Sequence, residues 1–111
     1  MRPPLIEFMQ SIARRMDGVR TRKLFRFVDP KSLRTLALRS DMTPQVGRIA
    51  ATRLQHVARP VRLCYAGQVL RVRGSQLRPE RQFAQAGAEL IGADSAAAAA
   101  EAALLAAVAL A

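Results

Sequence analysis

Along residues 80–92, ERQFAQAGAELIG, the polar side chains Gln85 and Glu89 flank Gly87 at a spacing of two. In an extended strand that spacing puts all three on one face, together with Phe83 and Ile91. Upstream, Arg71 and Arg73 share a face of VRLCYAGQVLRVR, residues 61–73. If the two segments fold as a hairpin, Arg71 comes near Gln85. A guanidinium, an amide and a carboxylate then meet over one sheet, and Gly87 lets a ligand approach the backbone closely. Such a set suits a zwitterion such as an amino acid, with Glu89 taking the ammonium and Arg71 and Gln85 taking carboxylate or phosphate oxygens. The same residues also fit a plainer role, a row of solvated cross-strand pairs.

A second candidate lies in SDMTPQVGR. Thr43 followed by Pro44 reads as a helix N-cap with proline at the first helical position. Asp41 stands just before that cap, where a carboxylate beside exposed backbone N–H groups can also bind an ammonium or another ligand donor.

Other chemistry finds no residues. His56 is the only histidine and Cys64 the only cysteine, so no histidine or multi-cysteine metal site, no Ser/His/Asp triad and no internal disulfide can be built. There is no glycine-rich phosphate loop, and no cofactor is implied. His56 reads as a surface residue and Cys64 as a core residue.

The elements that would carry these residues follow from periodicity. Leu5, Met9, Ile12 and Met16 fall at helical spacing in residues 5–16, with Arg14 and Arg15 off the stripe and a stop at Asp17 and Gly18. Residues 24–29, LFRFVD, and 35–39, TLALR, alternate as two antiparallel strands, with a turn beginning at Asp29. Val46, Ile49, Ala50 and Leu54 form the buried stripe of the next helix, with Arg48 and Arg53 away from its centre. Pro60 ends the connection. The two long strands at 61–73 and 80–92 follow, with a bulge or a close backbone approach at Gly67. Asp94 or Ser95 caps a final alanine-rich helix. The order is α+β with antiparallel pairing. The last strand has no visible partner beyond its hairpin mate, which suggests part of a larger domain.

Half the residues are hydrophobic, enough for a core. The net charge of +10 raises the prior for a polyanionic partner. Against a nucleic acid, the arginines are scattered without an arm or tail. The lone Tyr65 and the four phenylalanines read as core, leaving few aromatics for base stacking. Arginine over lysine, with abundant alanine, is also what a GC-rich coding sequence gives. The longest apolar run, residues 95–111, is short and carries Glu101, so no membrane span is expected. The N-terminus lacks a signal-peptide core, since two prolines and Glu7 interrupt it. A soluble, cytoplasmic protein is expected.

LALRSDMTPQVGRIAATRL, PVRLCYAGQVLRVR and RQFAQAGAELIG together resemble the core of class II aminoacyl-tRNA synthetases, in the histidyl branch. They look most like the paralogues in that branch that serve as regulatory subunits of short-form ATP phosphoribosyltransferase. The resemblance runs from Pro3 to the C-terminus. It makes residues 1–111 a partial class II synthetase-like domain, from the end of motif 1 through motif 2 and the following helix, with motif 3 absent. It implies an antiparallel sheet with flanking helices. It implies a non-catalytic subunit acting in the first step of histidine biosynthesis, bound to the catalytic phosphoribosyltransferase subunit and sensing histidine as feedback signal. Self-association through the class II dimer interface is also implied. Carried over residue by residue, the histidine site is Asp41, Thr43, Arg71, Gln85 and Glu89. Synthetases have glutamate where Asp41 stands. They also carry an acidic residue two positions after the motif 2 arginine, where this chain has Arg73, and the motif 2 loop offers Arg78 and Arg81 instead of the usual pattern. Adenylate chemistry is therefore not expected here. A fragment of a true histidyl-tRNA synthetase, an enzyme, is the alternative.

Overall fold

The computed structural model describes residues 1–13, 24–74 and 76–111. In chain order the elements are β1 (Ile6–Phe8), α1 (Met9–Ala13), β2 (Phe25–Val28), β3 (Thr35–Leu38), α2 (Thr43–Thr52), β4 (Val61–Leu70), β5 (Gln82–Ile91) and α3 (Ala96–Leu110). They build two antiparallel sheets, β1-β3-β2 and the β4-β5 hairpin.

The small sheet is centred on β3, which pairs Leu36, Ala37 and Leu38 with Phe8, Glu7 and Ile6 on one side and with Phe27, Arg26 and Phe25 on the other. Its inner face buries Ala37 against Ile12 and Leu24, with Met9 packed alongside. The helix expected over residues 5–16 is thus a strand and then a short helix. Ile6 and Phe8 alternate around Glu7, and the open edge of β3 draws these three residues into its ladder. Arg14, Arg15, Met16 and the stop at Asp17 and Gly18 lie outside the described residues. The turn after β2 forms as expected: the Asp29 carboxylate accepts the Lys31 and Ser32 N–H groups and the Ser32 hydroxyl.

The hairpin is regular from Val61 opposite Ile91 to Leu70 opposite Gln82. Its odd-numbered residues face inward, as alternation in a strand requires. Val69 and Tyr65 close on Met42 and Val46 of the α2 segment, flanked by Leu63 and Phe83. Met42, Val46 and Val69 are fully buried, each a gain of about 2 kcal/mol over exposure. Of the stripe expected on α2, Val46 and Ala50 are buried, while Ile49 and Leu54 are half-buried.

Two expectations about burial are corrected, for Cys64 and for the phenylalanines, and at Gly67 one of the two expected alternatives falls away. Cys64 is exposed, because even-numbered residues of β4 lie on the face away from α2. None of the four phenylalanines is buried. Instead, Phe8, Phe83 and Phe25 carry the guanidinium groups of Arg34, Arg71 and Arg81 on their rings. At Gly67 there is no bulge: the ladder continues, and the glycine makes room for the Arg39 guanidinium.

Arg39 ties the two sheets together. It is buried, its Nε donates to Gln68 O at 2.7 Å, and its Nη1 donates to Pro3 O at 2.7 Å. Its own backbone N–H donates to Leu5 O and its carbonyl accepts from Leu70 N–H. Gln45 Nε2 adds a bond to Pro4 O, and Arg48 pairs with Glu7. The turn at 41–43 is therefore fixed from both sides. At the far end Ser95 caps α3 by accepting the Ala98 N–H, while Leu104, Leu105, Val108 and Leu110 of that helix face solvent. Among the described residues no helix is long and apolar enough to cross a membrane.

Candidate ligand-binding site

Asp41 sits between β3 and α2. Its Oδ1 accepts the Thr43 backbone N–H at 2.9 Å and the Gln85 Nε2–H at 2.9 Å. Gln85 completes the link from β5, its Oε1 accepting the Met42 N–H at 2.9 Å. The amide of Gln85 thus pairs with the turn much as a peptide group would. Burial alone raises the Asp41 carboxyl. The hydrogen bonds from Thr43 and Gln85, with the charge of Arg71, outweigh it and hold Asp41 below its ordinary value.

The N-cap of α2 is Met42, whose side chain makes no cap bond, so Thr43 and Pro44 stand inside the helix. Thr43 was expected at the cap itself. Asp41 accepts the Thr43 N–H in an Asx turn, the Val46 N–H goes to the Met42 carbonyl, and the Thr43 hydroxyl bonds Asp41 as well. That hydroxyl meets the Tyr65 hydroxyl at 3.1 Å, and Tyr65 donates to Glu89 Oε1 at 3.2 Å. Burial raises the Tyr65 phenol, opposed by Thr43 and reinforced by the negative Glu89, so it stays protonated as a donor.

Four of the five expected residues, Asp41, Thr43, Gln85 and Glu89, therefore lie in one hydrogen-bonded group with Tyr65 as a link. Arg71 stands at its margin. The hairpin register places Gln85 opposite Gly67, and Arg71 lies just past β4, with its N–H on Arg81 O at 2.7 Å. Its guanidinium rests 4.8 Å from the centre of the Phe83 ring, close enough for its charge to act on Asp41. The space above Gly87 does not receive a ligand directly, since the ring of Tyr65, its cross-strand partner, fills it.

Tyr65 is the member of this hydrogen-bonded group that sequence reasoning missed. Its buried ring fits the core reading, but its hydroxyl belongs to the polar group. The signal was available in the pairing of two ten-residue strands, which puts Tyr65 on the same face as Gln85 and Glu89. Thr43 and Glu89 also border an open hollow of about 400 Å³, lined further by Gly47, Ala50, Ala51, Arg59 and Ile91. That volume suits a small molecule. The polar lining of the hollow is the Glu89 carboxylate, the Thr43 side chain and Arg59, while Asp41 and Arg71 stand outside the lining, on the far side of Thr43 and Gln85. Among the described residues no three His, Cys, Asp or Glu side chains could hold a metal ion.

The family model for histidyl-tRNA synthetase matches residues 1–111. The chain is 58% identical over 110 residues to an ATP phosphoribosyltransferase regulatory subunit of Paramagnetospirillum magneticum, covering 99% of this chain and 29% of that protein. It is 55% identical over 111 residues to the regulatory subunit of Rhodospirillum centenum, covering 100% of this chain and 29% of the relative. The crystal structure of an ATP phosphoribosyltransferase regulatory subunit/histidyl-tRNA synthetase from Bacillus halodurans C superimposes with a TM-score of 0.81 at 34% identity, over 99% of this chain and 28% of that one. Apo histidyl-tRNA synthetase of S. aureus gives a TM-score of 0.69 at 29% identity, over 97% of this chain and 24% of that one. The chain thus spans under a third of these relatives, and its α+β arrangement is that of the class II synthetase-like core.

Proposed function

The chain belongs to the histidyl-tRNA synthetase family, and on that premise we propose that the intact protein is a regulatory subunit of ATP phosphoribosyltransferase that binds histidine at this site. The observation that carries the reading is the joined group Asp41, Thr43, Tyr65, Gln85 and Glu89 beside the open hollow, in a chain more than half identical to named regulatory subunits. Arg71 acts electrostatically on Asp41, so the ligand's carboxylate goes to Arg71 and its ammonium to Asp41. The side chain then extends toward Glu89 and the hollow. This assigns the ammonium to Asp41 rather than to Glu89. Gln85 spends its Oε1 and one amide proton on the turn, and so holds Asp41 in place as well as facing the ligand.

The partner is the catalytic phosphoribosyltransferase subunit, in the cytoplasm, and the protein itself performs no chemistry. Arg73 supports that part of the reading, since an acidic residue is expected there in a synthetase that activates its amino acid. The test is reconstitution: the catalytic subunit is assayed for phosphoribosyl transfer with and without the intact protein, across a histidine series. Transfer that depends on the protein and is inhibited by histidine is the expected result. Transfer indifferent to both contradicts the proposal.

The likeness to the S. aureus synthetase favours one other reading, an amino-acid-activating enzyme. It predicts histidine-dependent ATP–pyrophosphate exchange by the intact protein, which the regulatory reading does not.

A further inference from the structure

We infer that the outer face of the β1-β3-β2 sheet is the surface on which the intact protein docks its catalytic partner, against a patch of that partner that is apolar at its centre and carries carboxylates at its edge. The inference rests on the regulatory-subunit reading and goes beyond it, since nothing in the histidine site requires this face.

Strand register builds this face from two cross-strand rows. Ile6, Leu38 and Phe25 form one row, and Phe8, Leu36 and Phe27 form the next. Alternation turns all six away from Ala37, which is buried against Ile12 and Leu24 on the inner side. None of the six is buried: Ile6 is 46% and Phe27 41% exposed, and the other four are half-buried. Adjoining apolar side chains left open in this way mark a place where a partner binds. Arginines finish the patch at opposite corners. The Arg34 guanidinium lies 3.8 Å from the centre of the Phe8 ring, at the β1 end of one row. That of Arg81 lies 4.9 Å from the centre of the Phe25 ring, at the β2 end of the other. Aromatic residues and arginine are the types enriched where proteins bind one another.

Charge selects the occupant. Arg34 and Arg81 are both exposed, and among the described residues neither forms an ion pair. The six apolar positions supply no carboxylate, and Glu7 lies on the inner side, paired with Arg48. Covering the face with the protein's own core would strip water from two cations without giving them a counter-charge. A second copy meeting this face with its own would bring the same arginines and no acid. A different protein with an acidic rim can bury both rows and pair both guanidiniums at once, and such complementarity gives the contact its specificity.

The test uses the intact protein. Its association with the catalytic subunit is followed by calorimetry, and its self-association alone by sedimentation velocity. Phe27→Glu sets a charge in the second row and should weaken association with the catalytic subunit by about tenfold or more, with an unchanged melting midpoint. Arg34→Glu should weaken it too and make it less sensitive to salt, and it decides the matter if Phe27→Glu does not fold. Val28 is 61% exposed on the same strand but turned to the opposite side, so Val28→Glu should associate as the wild type does. Wild-type association in both Phe27→Glu and Arg34→Glu, or equal loss in Val28→Glu, overturns the inference and leaves the regulatory reading standing. So does a Phe27→Glu protein that holds the catalytic subunit normally but self-associates less or melts lower, since a second copy or the protein's own chain then covers the face. A wild type that does not associate with the catalytic subunit overturns both.

Discussion

Tyr65 lies directly opposite Gly87 across the β4-β5 ladder, and its ring occupies the space that a side chain at Gly87 would need. The missing Cβ therefore serves a neighbouring tyrosine, and through its hydroxyl the Glu89 carboxylate.

Gly87→Ala should displace the Tyr65 ring from its packing against Met42 and Val46. Overpacking of this kind costs about 1–3 kcal/mol, which urea denaturation of variant and wild type would show. Because the hydroxyl moves with the ring, histidine affinity should fall together with stability. A variant as stable as the wild type would mean that the ring has somewhere else to go.

Arg39 is the strut between the sheets, and its removal should be felt throughout. Arg39→Met leaves the Gln68 and Pro3 carbonyls without their donors. The expected loss is about 3 kcal/mol, read as a lower denaturation midpoint. Arg39→Lys should rescue little of it, since one ammonium cannot reproduce the forked geometry that spans both carbonyls.

Asp41 makes a signed prediction about pH. Its pKa in the folded state lies below the ordinary aspartate value that applies when the chain is unfolded. The stability it contributes is therefore complete above that ordinary value and is lost as pH falls through the lower folded value. Asp41→Asn keeps an oxygen for the Thr43 and Gln85 bonds but carries no charge. Denaturation between pH 7 and strongly acid conditions should show the wild type losing more stability than this variant. Parallel curves would contradict the assignment, because every other carboxylate is common to both proteins.

Much of this was legible in the sequence, and the parts that were not share a cause. The hairpin, β2, β3 and α3 follow from alternation or alanine content, which are local signals, and Ser95 caps α3 as its type suggests. β1 is three residues long and is a strand only because β3 offers it an edge, a relation no local pattern records. Thr-Pro is a common helix start and points to Thr43 as the cap, but the helix begins one residue earlier, with Met42 at the cap and Asp41 accepting the Thr43 N–H. Arg39 looks like any strand-end arginine until the carbonyls of Pro3 and Gln68 arrive from opposite directions. Cys64 was placed in the core by residue type and turned out by parity, and Tyr65 needed the cross-strand register before its hydroxyl could be seen among the polar residues. Gln85, Glu89, Asp41 and Thr43, all candidates from the sequence, share one hydrogen-bonded group, whereas Arg71 stands further along the hairpin than its expected proximity to Gln85.

Histidine titration of the intact protein by calorimetry, wild type beside Glu89→Gln, addresses the central claim most directly. Glutamine keeps the size and one acceptor oxygen but not the charge. The wild type should bind histidine, and Glu89→Gln should weaken it by about tenfold or more, or about 1.4 kcal/mol. Equal affinity in the two proteins, or no binding by the wild type, would contradict the assignment of this site to histidine.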